Sequence, residues 1–410
     1  MASSINADNG VVSGSAGLKS SADSSGVLAL QTNGTTAVTV GTDQSILMTG
    51  APSIGGAGYG MGMGFRNRII NGAMMIDQRN AGASVSITLS TAYAVDRFIS
   101  VIAQGSGHTA QRSTSAPTGF INSLLVTVGT GASASAGNVS RMYQVIEGLN
   151  VADLNWGATA ASAGQTASSI TLSFWVKSSL TGTFAGGLYN QAADRTYVFT
   201  YTISAANTWE QKTVTIAGDT SGTWLTTNGQ GIIVNWDLGT GSTYQGTAGV
   251  WAAGAAWATS GSVKLAATSG ATWSVTGVQL EKGSTATAFD YRPYGTELAL
   301  CQRYYFKNGG ANQYVRIGTG PAISTTAALI TIFMQTPMRA QPSSVTQTGV
   351  VAVWAGATVF SVSAISLDTT STSPYVTCLN CTSSGLTTGT TYQLIGNNDS
   401  TASIALSAEL

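Results

Sequence analysis

Ile170-Thr171-Leu172-Ser173-Phe174-Trp175-Val176-Lys177 is a run in which apolar and more polar side chains alternate. Because side chains alternate across a β-strand, every second residue from Ile170 onward shares one apolar face. Residues 197–203 repeat the pattern, with three aromatic rings and Ile203 on one side. One apolar face and one more polar face are typical of half-buried antiparallel strands, not of buried parallel ones.

Further strand-like runs recur along the chain with turn residues between them, and no long 3.6-residue periodicity separates them. Crossover helices and a parallel sheet are therefore not expected. We predict an all-β protein, in which an antiparallel β-sandwich of jelly-roll form is followed by a second β-rich domain. The other predicted strands are 212–216, 231–238, 262–266 and 273–280 in the sandwich, and 329–334, 350–354, 360–367, 375–379, 392–395 and 404–406 after it.

The composition supports this fold class and excludes some functions. Among 410 residues, 17 are basic and 17 acidic, so 8% are charged, against about 25% in an ordinary domain. With 43% hydrophobic residues the chain is not intrinsically disordered, and 50 glycines suit many short strands joined by tight turns. Zero net charge without a basic run gives no electrostatic attraction for nucleic acid. We expect no nucleic-acid partner.

Several motifs together resemble one domain of a known family. Val278-Gln279-Leu280-Glu281-Lys282-Gly283 and the segment 291–305 resemble the end of that domain and the segment after it. Asn67-Arg68-Ile69-Ile70-Asn71-Gly72, with 76–79 and 93–98, resembles its start, and 172–177 and 207–216 follow in the same order. The family is that of bacteriophage tail-fibre and related virion appendage proteins. The resemblance covers about the middle half of the chain and implies a jelly roll similar to carbohydrate-binding modules.

Three domains are predicted, at 1–64, 65–295 and 296–410. The first contains only Asp8, Lys19, Asp23 and Asp43 as charged residues. Within it, 27–32 and 36–40 alternate across Asn33-Gly34, which predicts a hairpin, and 54–64 has the composition of a glycine-rich linker. So small a segment cannot bury much core alone. We expect it to attach to other virion proteins or partner subunits.

The 296–410 domain is expected to form an oligomerisation or tip domain. Thr296 is predicted to cap a short helix over 297–305, with Glu297 in its first turn. Residues 309–410 contain few charges: Arg316, Arg339, Asp368, Asp399 and Glu409. Either Ser and Thr cover this surface, or much of it packs against copies of itself, as symmetric assemblies require. The resemblance to fibres favours a homotrimer.

Two features bear on where the protein acts. The first eight residues lack the basic region and apolar core of a secretory signal. The longest weakly polar stretch, 249–258, is shorter than the ~20 apolar residues that a membrane-spanning helix needs. We therefore expect synthesis in the host cytoplasm, release by lysis and no membrane insertion. The resemblance to tail-fibre proteins implies a place in the virion.

The cysteines are too few for a disulfide framework. Cys378 and Cys381 have the spacing of a zinc or redox motif, but the second cysteine pair of a structural zinc site is missing. With Cys301 they are predicted to be free thiols in or near β-structure. No Asp-rich loop specifies calcium, so a metal site is left open, and no cofactor is predicted.

No catalytic residue is predicted. The single histidine, His108, has no nucleophile motif nearby, and neither a phosphate-binding Gly-Lys-Ser/Thr loop nor a His-Glu-x-x-His zinc motif is present. Glycan cleavage would require two carboxylates flanking a bond. Asp237, Glu147 and Asp153 remain open for that role, although turn caps and exposed polar residues are the favoured interpretation.

Tryptophan provides the functional signal, because eight of the nine lie between 65 and 295 and only Trp354 lies outside. Aromatic rings offer flat apolar faces on which sugar rings can stack. Trp175 and Trp273 lie in strand patterns and are expected in the core. Trp251 and Trp257 lie in a stretch of small residues consistent with an exposed loop. With Tyr244 and Asp237, nearby in sequence, they form the predicted carbohydrate-binding surface.

We therefore expect a non-enzymatic structural protein of a bacteriophage virion, a trimeric tail-fibre or appendage subunit that attaches to host-surface glycan. Several weak contacts multiplied by copy number would give avidity. A head or neck fibre or decoration protein is an alternative within this class. A polysaccharide depolymerase is the alternative from another class, and it would show two carboxylates about 5 to 9.5 Å apart in a groove.

Overall fold

The computed structural model describes residues 65–310 and 312–410, together with five short strands before residue 65. These strands are β1 Leu28–Thr32, β2 Thr35–Val40, β3 Ile46–Met48, β4 Ser53–Ile54 and β5 Ala57–Gly58. The antiparallel pairing of β1 with β2 confirms the predicted hairpin. Its turn, Asn33-Gly34, and most of the predicted linker lie outside the described residues. Residues 1–64 and 65–410 form two separate compact units.

The 65–410 unit begins with an antiparallel β-sandwich, as predicted. One sheet has six strands in the order β15-β12-β18-β10-β9-β6, and the other has seven in the order β17-β14-β13-β16-β11-β8-β7. The strands are β6 Val85–Ile87, β7 Ala92–Val95, β8 Phe98–Ile102, β9 His108–Ser113, β10 Ser123–Thr127, β11 Ser140–Glu147, β12 Ile170–Ser178, β13 Gly182–Tyr189, β14 Arg195–Ile203, β15 Glu210–Ile216, β16 Gln230–Asp237, β17 Trp251–Ala253 and β18 Thr272–Lys282.

The sandwich core lies between the two sheets. The predicted apolar face of β12, from Ile170 to Val176, is fully buried there, and Trp236 and Trp273 fill the centre. Trp175, on the opposite face of β12, is only partly buried, so its predicted place in the core is wrong.

Short helical turns connect several strands. They are α1 Ala158–Ser162 and the 3-10 turns Gly148–Asn150, Ala152–Leu154, Ser242–Tyr244 and Leu265–Ala267. The last of these replaces the strand predicted over 262–266. Leu265 and Ala266 are buried one after the other, whereas a half-buried strand would alternate. None of the five residues of α1 is buried, so no apolar periodicity marks it in the sequence.

The two motif blocks that bracket the sandwich meet in the structure. The backbone N–H of Arg68 donates to the carbonyl of Leu280 at 2.8 Å, and that of Val278 donates to the carbonyl of Gly72 at 2.9 Å. A Cβ on Gly72 would lie 2.1 Å from that Val278 oxygen, so only glycine permits this approach. The side chain of Asn67 bonds the same strand at both Val278 and Leu280.

A short helix, α2 Tyr294–Gln302, leads into the second β-rich domain. It begins after Pro293, so Thr296 lies inside its first turn and is not the predicted cap. Pro293 precedes the helix with an extended backbone, ψ 142°, and no side chain caps the helix at this position. The helix also ends at Gln302, three residues earlier than predicted. Glu297 lies in the first turn, as expected, where it accepts hydrogen bonds from the backbone N–H of Asn71 and from the guanidinium of Arg292.

The second domain is also antiparallel. Its strands are β19 Tyr305–Gly309, β20 Arg316–Pro321, β21 Ala327–Phe333, β22 Ser344–Thr348, β23 Val351–Ala355, β24 Thr358–Ser361, β25 Ala364–Leu367, β26 Val376–Thr382, β27 Thr391–Gly396 and β28 Ser403–Ser407. They form a three-stranded sheet, β19-β28-β22, and a seven-stranded sheet, β24-β23-β27-β20-β21-β26-β25. A separate apolar core, including Ile330, Leu379 and Leu394, lies inside.

The strand predicted over 360–367 is two strands, β24 and β25, at opposite edges of the seven-stranded sheet. Only Val362 and Ser363 connect them. A chain of this length spans on the order of 10 Å, so the sheet must curl until its two edges approach each other. Cys378 and Cys381 lie in β26 as free, buried thiols, as predicted for cysteines in β-structure.

Candidate functional site

A cluster of aromatic side chains around Arg141 covers the face of the seven-stranded sandwich sheet that points away from the core. Arg141 and Tyr143 lie at alternate positions of β11, whereas Met142 between them points into the core. Tyr189 ends β13, and Tyr244 and Trp257 come from the segment after β16. We call these five residues the Arg141 cluster. It joins residues that are more than 100 positions apart in the sequence.

Two stacked rings form one side of the Arg141 cluster. The rings of Tyr244 and Trp257 are nearly parallel, with an angle of 16° between their planes and 4.6 Å between their centres. Trp257 is only 4% exposed, whereas Tyr244 is partly exposed. Tyr244 is therefore the accessible layer of the stack, and Trp257 supports it from below.

Arg141 lies among the rings. Its guanidinium carbon is 4.5 Å from the centre of the Tyr143 ring and 4.4 Å from that of Trp257, distances at which a cation and a π-system attract. Its Nη1 donates a hydrogen bond to the Tyr189 hydroxyl at 2.6 Å. Burial raises the pKa of both Tyr143 and Tyr189, so these phenols stay neutral at physiological pH. The cluster therefore carries the positive charge of Arg141.

Asp237 positions the segment that carries Trp257. Its carboxylate accepts hydrogen bonds from the backbone N–H groups of Gly239, at 3.0 Å, and Thr240, at 2.7 Å. The Thr240 hydroxyl in turn accepts the indole N–H of Trp257 at 3.1 Å. Burial raises the pKa of Asp237, and Lys264, with its Nζ at 3.5 Å, opposes that rise. Asp237 was predicted in the carbohydrate-binding surface, but it lies buried beneath the cluster as a positioning residue.

Gly187 lets Trp257 approach the sheet. A Cβ on this glycine would lie 3.0 Å from the Cα of Trp257 and 3.1 Å from its Cβ, which is closer than ordinary van der Waals contact. Gly187 lies in the middle of β13, two residues before Tyr189. The absence of a side chain here therefore fixes how deep the Trp257 ring sits.

Trp251 lies in a different cluster. Its ring packs edge-on against Trp156, at 5.3 Å, and Trp224, at 5.4 Å, and its N–H donates to the carbonyl of Ala217. A cavity of about 390 Å³ is lined in part by Trp156 and Trp224. The prediction that Trp251 and Trp257 share an exposed loop is wrong, because Trp251 lies in β17 and Trp257 is buried. The small residues between them allow a close approach to the sheet, which composition cannot distinguish from a loop.

The carboxylates considered for catalysis all have structural partners. Glu147 is buried and accepts hydrogen bonds from Arg303 and from the Tyr304 hydroxyl. Asp153 pairs with Arg68 and Lys282. His108 is buried, with its Nε2 2.7 Å from the carbonyl of Gln104.

No group of three or more His, Cys, Asp or Glu among the described residues could hold a metal ion. Within the same residues, no helix is long and apolar enough to cross a lipid bilayer.

Comparison with known proteins gives structural similarities only. No protein-family model matches the chain, and no curated protein matches it. The enzymatically active domain of tailspike protein 4 from bacteriophage CBA120 is 12% identical, over 53% of this chain and 21% of its own length, with a TM-score of 0.27. This chain thus spans about a fifth of that domain.

Two smaller solved domains are similar over about half of this chain. A family 11 carbohydrate-binding module from Clostridium thermocellum, in complex with a mixed-linked tetrasaccharide, is 11% identical over 51% of this chain and 100% of its own, with a TM-score of 0.25. A xylan-binding domain from Paenibacillus barcinonensis is 11% identical over 51% of this chain and 99% of its own, with a TM-score of 0.22.

Proposed function

We propose that this chain is a non-enzymatic subunit of a bacteriophage tail fibre or related appendage, and that it attaches to glycan on the host surface through the Arg141 cluster. The observation that carries the proposal is the stack of Tyr244 on Trp257 beside Arg141. Flat rings offer apolar faces to the C–H side of a sugar, and the guanidinium and phenol groups offer hydrogen bonds to its hydroxyls. The bacteriophage role rests on the sequence motifs.

The few charges of the chain support adhesion over catalysis. Glu147 and Asp237 are each about 1% exposed and, like Asp153, are engaged by hydrogen-bond or ion-pair partners within the protein. A single half-buried ring cluster is expected to bind glycan weakly. A homotrimer joined through the 296–410 domain would present three such clusters, which raises the overall affinity through avidity. The 1–64 segment would attach the assembly to other virion proteins.

Binding of the full chain to an array of bacterial lipopolysaccharides and capsular polysaccharides tests this function. Tyr244→Ala removes the accessible ring without emptying the core and is expected to weaken binding at least tenfold. Tyr375→Ala is the matched control, because Tyr375 is 64% exposed and lies in the second domain. The polysaccharide should remain intact after incubation.

Two results would count against the proposal. One is binding that Tyr244→Ala and Trp257→Ala both leave unchanged. The other is the release of short oligosaccharides by the wild-type chain, which would indicate a depolymerase.

A further inference from the structure

We propose that the glycan recognised by the Arg141 cluster is acidic, and that Arg141 binds a carboxylate on the sugar ring that stacks on Tyr244. This inference rests on the proposed function and names its ligand class. It is based on the guanidinium of Arg141, which has no carboxylate partner and lies against the rings of Tyr143 and Trp257.

Arg141 has no counter-ion in the described part of the chain. Ten ion pairs occur there, and none involves Arg141. Five other buried or partly buried arginines of residues 65–295, Arg68, Arg79, Arg97, Arg195 and Arg292, each contact a carboxylate within 4 Å, whereas Arg112 donates to the carbonyl of Met75 instead. Removing a cation from water is costly unless it is paired. An anion supplied by a ligand would complete this site.

Asp237, a carboxylate directly across the sheet from Arg141, is not available to it. The two residues are cross-strand partners in β11 and β16, yet their charged groups are not within 4 Å. The Asp237 carboxylate is occupied by the amides of Gly239 and Thr240, by the Ser262 hydroxyl and by Lys264. Strand pairing therefore places Asp237 beside Arg141, but the hydrogen bonds of Asp237 go to other groups.

The guanidinium retains hydrogen-bond donors. Within residues 65–410, Nη1 donates to Tyr189, whereas Nε and Nη2 donate to no acceptor. A guanidinium has five N–H donors in a planar arrangement that matches a carboxylate. The rings over which it lies fix its orientation and limit its hydration, which strengthens its attraction for an anion.

The ligand must combine an apolar ring face with an anionic group. The stacked Tyr244 ring suits a pyranose, and Arg141, beside the same Trp257 ring, suits a substituent of that pyranose. A hexuronic acid has both features in one residue. A neutral hexose would leave the guanidinium unpaired.

Trigalacturonate and its fully methyl-esterified form provide a matched pair of probes, because esterification removes the charge and keeps the rings. Affinities for the full chain are measured by titration calorimetry at 50 mM and 500 mM salt. We expect the acid to bind at least tenfold more tightly than the ester at low salt, with a smaller preference at high salt. Arg141→Gln should abolish the preference, and Arg141→Lys should restore part of it.

Arg316→Gln is the matched control, since Arg316 lies over the ring of Trp354 at 4.7 Å in the second domain. It should leave the preference intact. Three results would overturn the inference. They are equal affinity for the acid and the ester, binding of neither probe, and loss of the preference in Arg316→Gln instead of in Arg141→Gln. Binding to neutral polysaccharides of the array alone, sensitive to Tyr244→Ala, would overturn it while leaving the proposed function standing. Binding to no polysaccharide at all would overturn both.

Discussion

Arg303 donates two hydrogen bonds to Glu147, from Nε at 2.8 Å and from Nη2 at 2.6 Å. Glu147 ends β11 of the sandwich, and Arg303 follows the helix that leads into the second domain. The Tyr304 hydroxyl donates to the same carboxylate at 2.6 Å. The strand that carries Arg141 and Tyr143 is thus tied at its far end to the second domain.

Glu147→Gln is expected to destabilise the protein by about 3 kcal/mol, because removing one charge of a buried pair leaves the other uncompensated. Urea unfolding of both proteins measures the change. Glu210→Gln is the control, because the Glu210 side chain is 18% exposed and that of Glu147 only 1%, and it should cost less than about 1 kcal/mol. Equal effects of the two substitutions would show that the Glu147 pair adds nothing particular to the joint.

Gly187→Ala is expected to push Trp257 out of its place and to weaken glycan binding. Overpacking of this kind typically costs about 1–3 kcal/mol, so stability should fall as well. Gly137→Ala is the control, since a Cβ there meets nothing within 4 Å. Titration of a bound polysaccharide, with tryptophan fluorescence as a second readout, measures both effects. Unchanged binding and fluorescence in Gly187→Ala would mean that the depth of Trp257 is not set by this glycine.

Stability should depend on pH through Asp237. Burial raises its pKa in the folded protein, so the folded state holds this proton more tightly than the unfolded chain, in which aspartate titrates near 3.9. This carboxyl therefore makes the free energy of unfolding decrease as pH rises from about 4 through the raised pKa. Asp237→Asn removes that contribution, and its asparagine oxygen can still accept from Gly239 and Thr240.

Thermal midpoints of the wild type and Asp237→Asn at pH 4, 5.5 and 7 measure this dependence. The midpoint of the variant, relative to that of the wild type, should increase with pH. A difference that is constant or decreases with pH would contradict a raised pKa. Other buried carboxyls, such as Asp96, are present in both proteins and cancel in the difference.

The three thiols should resist alkylation in the folded protein. All three are buried, which limits access of the reagent. Burial also raises the pKa of Cys381 to about 12 and that of Cys301 well above its ordinary value, so the reactive thiolates of these two residues are scarce at pH 8. Mass spectrometry after treatment with iodoacetamide should show no label on the native chain and three labels after unfolding in urea. Rapid labelling of one cysteine under native conditions would indicate that its strand, or for Cys301 the helix α2, opens readily.

The strands were the most predictable part of this protein, because alternation such as that from Ile170 to Lys177 follows directly from the two faces of a sheet. Prediction failed where residues are buried consecutively, as at Leu265 and Ala266, and where only two residues separate β24 from β25. Such features depend on what the chain packs against, and local pattern does not contain that information.

The Arg141 cluster contains two of the four residues of the predicted carbohydrate-binding surface, Tyr244 and Trp257. Tyr244, Trp257 and Asp237 are near each other in sequence, and the structure brings them together through Thr240. Arg141, Tyr143 and Tyr189 were missed, since their position depends on the pairing of β11, β16 and β13. Arg141 and Tyr143 alternate with Met142 along their strand, and this alternation was the sequence signal that both side chains lie on the face away from the core. Trp251 was assigned by proximity in sequence to a surface that it does not share.

A structure of the full chain bound to an oligosaccharide, cut from a polysaccharide that it binds, tests the central claim most directly. We expect an intact sugar stacked on Tyr244, with an anionic group within hydrogen-bond distance of Arg141. An oligosaccharide lodged in the cavity beside Trp156 and Trp224, or one found cleaved, would contradict adhesion through the Arg141 cluster.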